Sequence, residues 1–136
     1  MGTTPVFASA DLLASAAIAA TANTNHDGSG TLATLFTGTN AVPQRIDAIA
    51  INAGAANGVT TAGKIRFFIS TTGAAPFRKI GELNVTAATP SATVAAFSDV
   101  WYPPRPIAVP DANTIIYAAP HNAEAFVAQV YGSKLT

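Results

Sequence analysis

From Thr31 to the C-terminus the chain is a succession of short apolar runs, each closed by a cluster of Gly, Pro, Asn or Asp. This pattern constrains the fold more than any other feature. Runs so short, with turn signals at both ends, suit β-strands better than packed helices. They are Thr31–Thr37, Arg45–Asn52, Lys64–Ser70, Phe77–Thr86, Phe97–Tyr102, Pro106–Pro110, Thr114–Ala119 and Ala125–Tyr131. A spacing of roughly ten residues predicts an all-β sandwich or barrel of antiparallel strands.

Three strands carry further detail. In Lys64–Ser70, Ile65, Phe67 and Ile69 share one face, and Lys64, Arg66, Phe68 and Ser70 the other. This reads as a half-buried strand with one aromatic, Phe68, on its outer face. In Arg45–Asn52 apolar residues occupy both parities, which calls for a bulge or for burial of both faces. In Phe77–Thr86, Ile80 is out of phase and Gly81 marks a bulge.

The N-terminus is more open. Residues 1–11 form a Thr-rich arm, either a frayed terminus or a strap that orders on a neighbouring subunit. Alanine in Leu12–Ala22 favours helix, whereas Ile18, Thr21 and the β character of the rest favour a strand. The expected division is an arm over 1–20 that includes a candidate first strand, and a β-domain over 21–136. A secretory leader is not expected, because no Lys or Arg precedes the apolar run, Asp11 abuts it and Ser15 interrupts it. The run is also too short to cross a bilayer.

Ionisable chemistry is sparse. Seven acidic and seven basic residues balance, charged residues make up 10% of the chain, and there are two histidines and no cysteine. The scattered basic residues do not make a nucleic-acid surface. Gly58–Ile65 follows the phosphate-loop pattern until its last position, where Ile65 replaces the magnesium-binding hydroxyl and a strand follows instead of a helix. Gly28-Ser29-Gly30 imitates a dinucleotide fingerprint but precedes a strand. His26 and His121 lie in separate loops, too few for a metal centre. Asp47, Glu82, Asp99, Asp111 and Glu124 offer carboxylate pairs, as any chain of this size does. The expectation is a protein without enzymatic activity, cofactor or metal.

One segment stands out as a contact candidate. Val100-Trp101-Tyr102-Pro103-Pro104-Arg105-Pro106 places two aromatics beside an arginine, residue types that dominate interfaces. The competing reading puts Trp101 in the core and has the prolines end an edge strand. The candidate partner-contact residues are Pro5, Phe7, Arg66, Phe68, Trp101, Tyr102 and Arg105.

Several segments, in order, resemble a family of small bacteriophage structural proteins. They are Gly30–Phe36 (GTLATLF), Arg45-Ile46-Asp47 with Ile49 and Ile51, Thr61–Ser70 (TAGKIRFFIS), Glu82, Thr89-Pro90-Ser91 with Phe97, and His121–Gly132 (HNAEAFVAQVYG). The resemblance spans about residues 20–132. It implies a jelly-roll-like β-sandwich of about eight short strands. It also implies a homotrimeric capsid decoration (cement) protein, made in the host cytoplasm and placed on the phage head, with the major capsid protein as partner. No nucleic acid or membrane contact is implied. The alternative is a carbohydrate- or receptor-binding module of a tail or fibre, with Trp101 and Tyr102 as its platform.

Overall fold

The computed structural model describes residues 8–135. Nine strands are formed: β1 (Ala8–Ile18), β2 (Ala33–Thr37), β3 (Gln44–Ala53), β4 (Gly63–Ser70), β5 (Arg78–Val85), β6 (Ser98–Trp101), β7 (Ile107–Val109), β8 (Ile115–Pro120) and β9 (Phe126–Leu135). All pairings between strands are antiparallel. One sheet runs β1-β9-β3-β6, with β7 also on β3, and the other runs β2-β8-β4-β5.

β6 pairs with Ile49–Asn52 and β7 with Gln44–Ile46 of the same strand. They are one edge strand interrupted by Pro103, Pro104 and Pro106, whose missing N–H groups cannot serve a ladder. With these two joined, the strand order is that of a jelly roll, and the chain changes sheet at every connection except β4–β5 and the β6–β7 interruption. The expected all-β jelly-roll sandwich is therefore what forms.

Two of the four register irregularities fall on strands whose phase breaks are visible in the sequence. On β3, Asp47 is the extra residue between Ile46 and Ala48, opposite Gly132 and Tyr131. It brings Ile46 into phase with Ile49 and Ile51, and all three are fully buried. Gly132 sits so close to the Arg45 carbonyl that a side chain there would collide with backbone. On β5, Ile80 is the extra residue, because Phe67 pairs with Gly81 and Phe68 with Lys79. Both irregularities match the phase breaks in the sequence.

Between the sheets lie Ile18, Ile46, Ile49, Ile51, Ile65, Phe67, Ile116, Val109, Val130 and their neighbours. Each fully buried large side chain here contributes about 1.5–3 kcal/mol relative to exposure. Trp101 reaches across from β6 and stacks on Phe67, with centroids 4.4 Å apart and planes 14° apart.

One expectation needs correction. Ile65 and Phe67 of β4 do point into the sandwich, but the opposite face is not open to water. Arg66 and Phe68 are both buried. The segment between β1 and β2 crosses that face: the Asn23 carbonyl accepts from Arg66 Nη1 at 3.2 Å, and Gly28 packs against Phe77. Phe77 meets Tyr117 edge-on at 5.1 Å, and Tyr117 is the registered neighbour of Phe68. Phe68 thus belongs to a small second core beneath a loop.

The crossing segment is held by its own polar groups. Asn23 Nδ2 donates to the carbonyls of Ser29 and Thr31, both at 2.9 Å, and its Oδ1 accepts from Asn25 N–H at 3.0 Å. Asp27 Oδ1 accepts from Ser29 N–H at 3.0 Å and from its hydroxyl at 2.6 Å. Gly28 and Gly30 adopt φ of 85° and 83°, a region that favours glycine.

Candidate functional site

The outer face of the first sheet is the most distinctive surface. Alternation along β1 turns Leu12 and Ile18 inward and Leu13, Ser15 and Ala17 outward. Registered beside those outward residues are Tyr131, Gln129 and Val127 of β9. Ala48, Ala50 and Asn52 of β3 come next, followed by Val100 and Ser98 of β6. None of these side chains is charged. Charge enters only at one end, where Arg45 Nε meets Asp47 Oδ1 at 3.0 Å and Asp11 borders a cleft with Leu13 and Tyr131.

This face has relief. Ala48 and Ala50 form a floor, low enough to be shielded by taller neighbours. Tyr131 stands on one side, its hydroxyl donating to Gln129 Oε1 at 2.9 Å. Tyr102, just beyond β6, stands on the other and is 71% exposed. Strands β9 and β6 are two spacings apart, so the trough is roughly 10 Å wide. Leu13 is 65% exposed at the β1 side.

The adjoining sheet edge is equally open. Of the four sheet edges, three carry features that discourage strand addition. β5 bears Arg78, Lys79 and a bulge, β2 is short and irregular, and β6–β7 is broken by prolines. β1 spans 11 residues without proline and with Asp11 as its single charge, and its one irregularity, between Ala8 and Ala10, leaves Ala10–Ile18 in unbroken register. Its ladder partner is β9 alone.

The sequence-derived candidates are distributed unevenly around this face. Tyr102 and Arg105 are exposed, as a contact role requires. Trp101, only 8% exposed, faces the core and cannot form part of a surface platform. Arg66 is covered by the β1–β2 segment, and Phe68 is buried beside Tyr117. Pro5 and Phe7 lie outside the described residues. The segment read as an arm is sheet from Ala8 onward, paired along its length with β9. Leu13, Val127 and Tyr131 went unnoticed in the sequence. Their signal was the alternation in Leu12–Ile18, obscured by the alanines that make that segment equally helix-like.

A second cluster lies on the opposite sheet. Glu82 accepts from Lys79 Nζ at 2.6 Å and from Lys64 Nζ at 3.5 Å, and stands 3.4 Å from Arg66 Nε and from His26 Nδ1. The hydrogen bond from Lys79, outweighing partial desolvation, draws the Glu82 carboxyl down to about 2. Arg66 Nη2 donates to His121 Nδ1 at 3.1 Å, and Lys79 Nζ to His26 Nδ1 at 3.0 Å. Ammonium and guanidinium groups have no acceptor, so both imidazoles present a lone pair at Nδ1. The positive charge of Arg66, then burial and Lys79, lower the pKa of His26. Among the described residues no three His, Cys, Asp or Glu side chains gather in a metal-binding group.

No family model matches this sequence, and no curated protein matches it. Among solved structures, the chain is similar to the Clostridium thermocellum endo-1,4-beta-D-xylanase 10B CBM22-1–GH10 modules complexed with xylohexaose. The identity is 12% and the TM-score 0.43, over 92% of this chain and 26% of that one. A likeness of this degree carries no functional argument.

Proposed function

We propose that the protein is a virion structural protein: a capsid decoration (cement) protein that binds the outer surface of an icosahedral phage head as a homotrimer and bridges capsid subunits. The observation that carries this reading is the uncharged outer face of the first sheet, continuous with the unblunted β1 edge. Such a face loses little by leaving water and gains about 25 cal/mol per Å2 of apolar area covered, independently of salt. The edge adds backbone donors and acceptors to whatever lies alongside. A trimer engages three such contacts at once, so the assembly holds even where each contact is weak. Pro5 and Phe7, outside the described residues, are assigned by this reading to the contact with a neighbouring subunit. Arg105 borders the Tyr102 side of the face.

Light scattering over a concentration series is the first test. A stable mass near three times 13.7 kDa is expected, together with saturable co-sedimentation with undecorated shells. A strict monomer that fails to bind shells overturns the proposal. Removing residues 1–7, rather than any part of β1, separates the leading segment from the fold; occupancy is expected to fall while unfolding is unchanged.

A second reading rests on a different observation. Tyr102 and Tyr131 flank a trough of alanines, an arrangement on which sugar rings can stack. In that case Tyr102→Ala abolishes glycan binding by calorimetry and leaves shell occupancy out of account.

A further inference from the structure

The outer surface of the second sheet holds an arrangement independent of the docking face. Three permanent cations, Lys64 and Arg66 of β4 and Lys79 of β5, converge on one carboxylate, Glu82. No other carboxylate forms an ion pair with them among the described residues. The chain as a whole is neutral, so this corner carries a surplus that is balanced elsewhere. The groups are unequally held. Lys79 is tightly bound, Lys64 sits at the 3.5 Å limit, and Arg66 Nε, buried and 3.4 Å from Glu82, makes no aligned hydrogen bond.

The surroundings favour a ligand over a solvated charge pair. Arg66 is 3% exposed and fixed from both sides by the Asn23 carbonyl and His121. It therefore projects a positive potential that water screens poorly. Lys64, Lys79 and His26 form the accessible rim around it. The other titratable groups nearby are Asp27, bound to Ser29 within its own loop, and His121 behind Arg66.

We propose that Lys64, Lys79 and His26, backed by Arg66, form a binding site for a small oxyanion, a sulfate- or phosphate-like group or a carboxylate. The ammonium groups of Lys64 and Lys79 donate to the ligand's oxygens, and His26 turns from accepting Lys79 to donating to the anion. The neutral ring already offers one N–H, and the negative charge of a bound anion beside it favours the doubly protonated imidazolium. Binding and protonation are thus linked reciprocally: the anion raises the affinity of His26 for a proton, and acidification raises the affinity for the anion.

The test follows the His26 imidazole by NMR in the full chain, titrating sodium sulfate or sodium acetate against sodium chloride at matched ionic strength. Saturable shifts at His26 beyond the chloride control are expected, with its titration moved to higher pH by the ligand. Saturation by sulfate alone assigns a tetrahedral oxyanion, and saturation by acetate alone assigns a carboxylate. Lys64→Met and Lys79→Met should each weaken binding about tenfold, the loss of one charge-assisted hydrogen bond. Shifts indistinguishable from chloride, or binding that survives in the folded Lys64→Met/Lys79→Met double variant, overturn the proposal. The wild-type pH titration with and without sulfate decides the matter even if a variant fails to fold.

Discussion

Trp101 and Gly81 face each other across the sandwich, the indole of one filling the space above the bare Cα of the other. A Cβ on Gly81 would collide with the six-membered ring of Trp101. Gly81 shares its face with Leu83 and Val85 in a register unbroken from Gly63 to Phe67, and the bulge at Ile80 follows it. Gly81→Ala is expected to cost about 1–3 kcal/mol through overpacking. Trp101→Ala, which removes the ring stacked on Phe67, is expected to cost about 3–5 kcal/mol. Denaturant unfolding of both variants checks this; a Trp101→Ala protein of wild-type stability would return Trp101 to the surface.

The docking face predicts the opposite behaviour. Leu13→Lys and Tyr131→Ala alter side chains that are turned to solvent. Each should change folding stability by no more than about 0.5 kcal/mol. Each should reduce self-association or shell occupancy, read by light scattering and co-sedimentation. Unaltered association in both would remove the face from the mechanism.

Asn23 governs the loop that covers Arg66. Its side chain serves three backbone groups and its own carbonyl accepts from Arg66. Asn23→Ala is expected to destabilise by about 1–2 kcal/mol, since the Ser29 and Thr31 carbonyls and the Asn25 N–H lose a partly buried partner. Hydrogen exchange should rise first at Asn25 and Ser29, ahead of the sandwich core. Exchange that rises uniformly would show that the loop and the core open together.

Acid should weaken the fold in two stages. The folded pKa of His26 lies below 6.5, so the folded state binds that proton less readily than the unfolded chain. Its contribution is full above that value and declines as pH falls below it. Glu82, drawn from 4.5 to about 2, contributes fully above pH 4.5, and this is lost as pH falls towards 2. With solvent screening allowed for, the Glu82 stage is worth roughly 2 kcal/mol. Unfolding midpoints across this range check the prediction, and His26→Asn should remove only the upper stage. Stability that increases on acidification below pH 6.5 would contradict it.

The strands from Thr31 onward and the phase breaks on β3 and β5 were readable in the sequence, because they depend on local matters. Alternation reports which face is buried, a phase break such as Ile80-Gly81 reports an inserted residue, and proline reports where a ladder stops. The sparse ionisable chemistry and the exposure of Tyr102 and Arg105 were legible for the same reason. Tertiary structure alone decided what covers each face. Lys64–Ser70 shows a water-facing pattern, yet Arg66 is buried under a loop more than 30 residues earlier and Phe68 is buried beside Tyr117 of the neighbouring strand. The gathering of Lys64, Arg66, Lys79, His26 and His121 about Glu82 joins four separate segments, and no local spacing encodes it. The sequence left Trp101 open between a surface platform and the core, and its partners, Phe67 and Gly81 of the opposite sheet, decide for the core. Periodicity specifies the direction of a side chain relative to its own strand; whether that direction ends in water or in protein depends on which distant segment packs there.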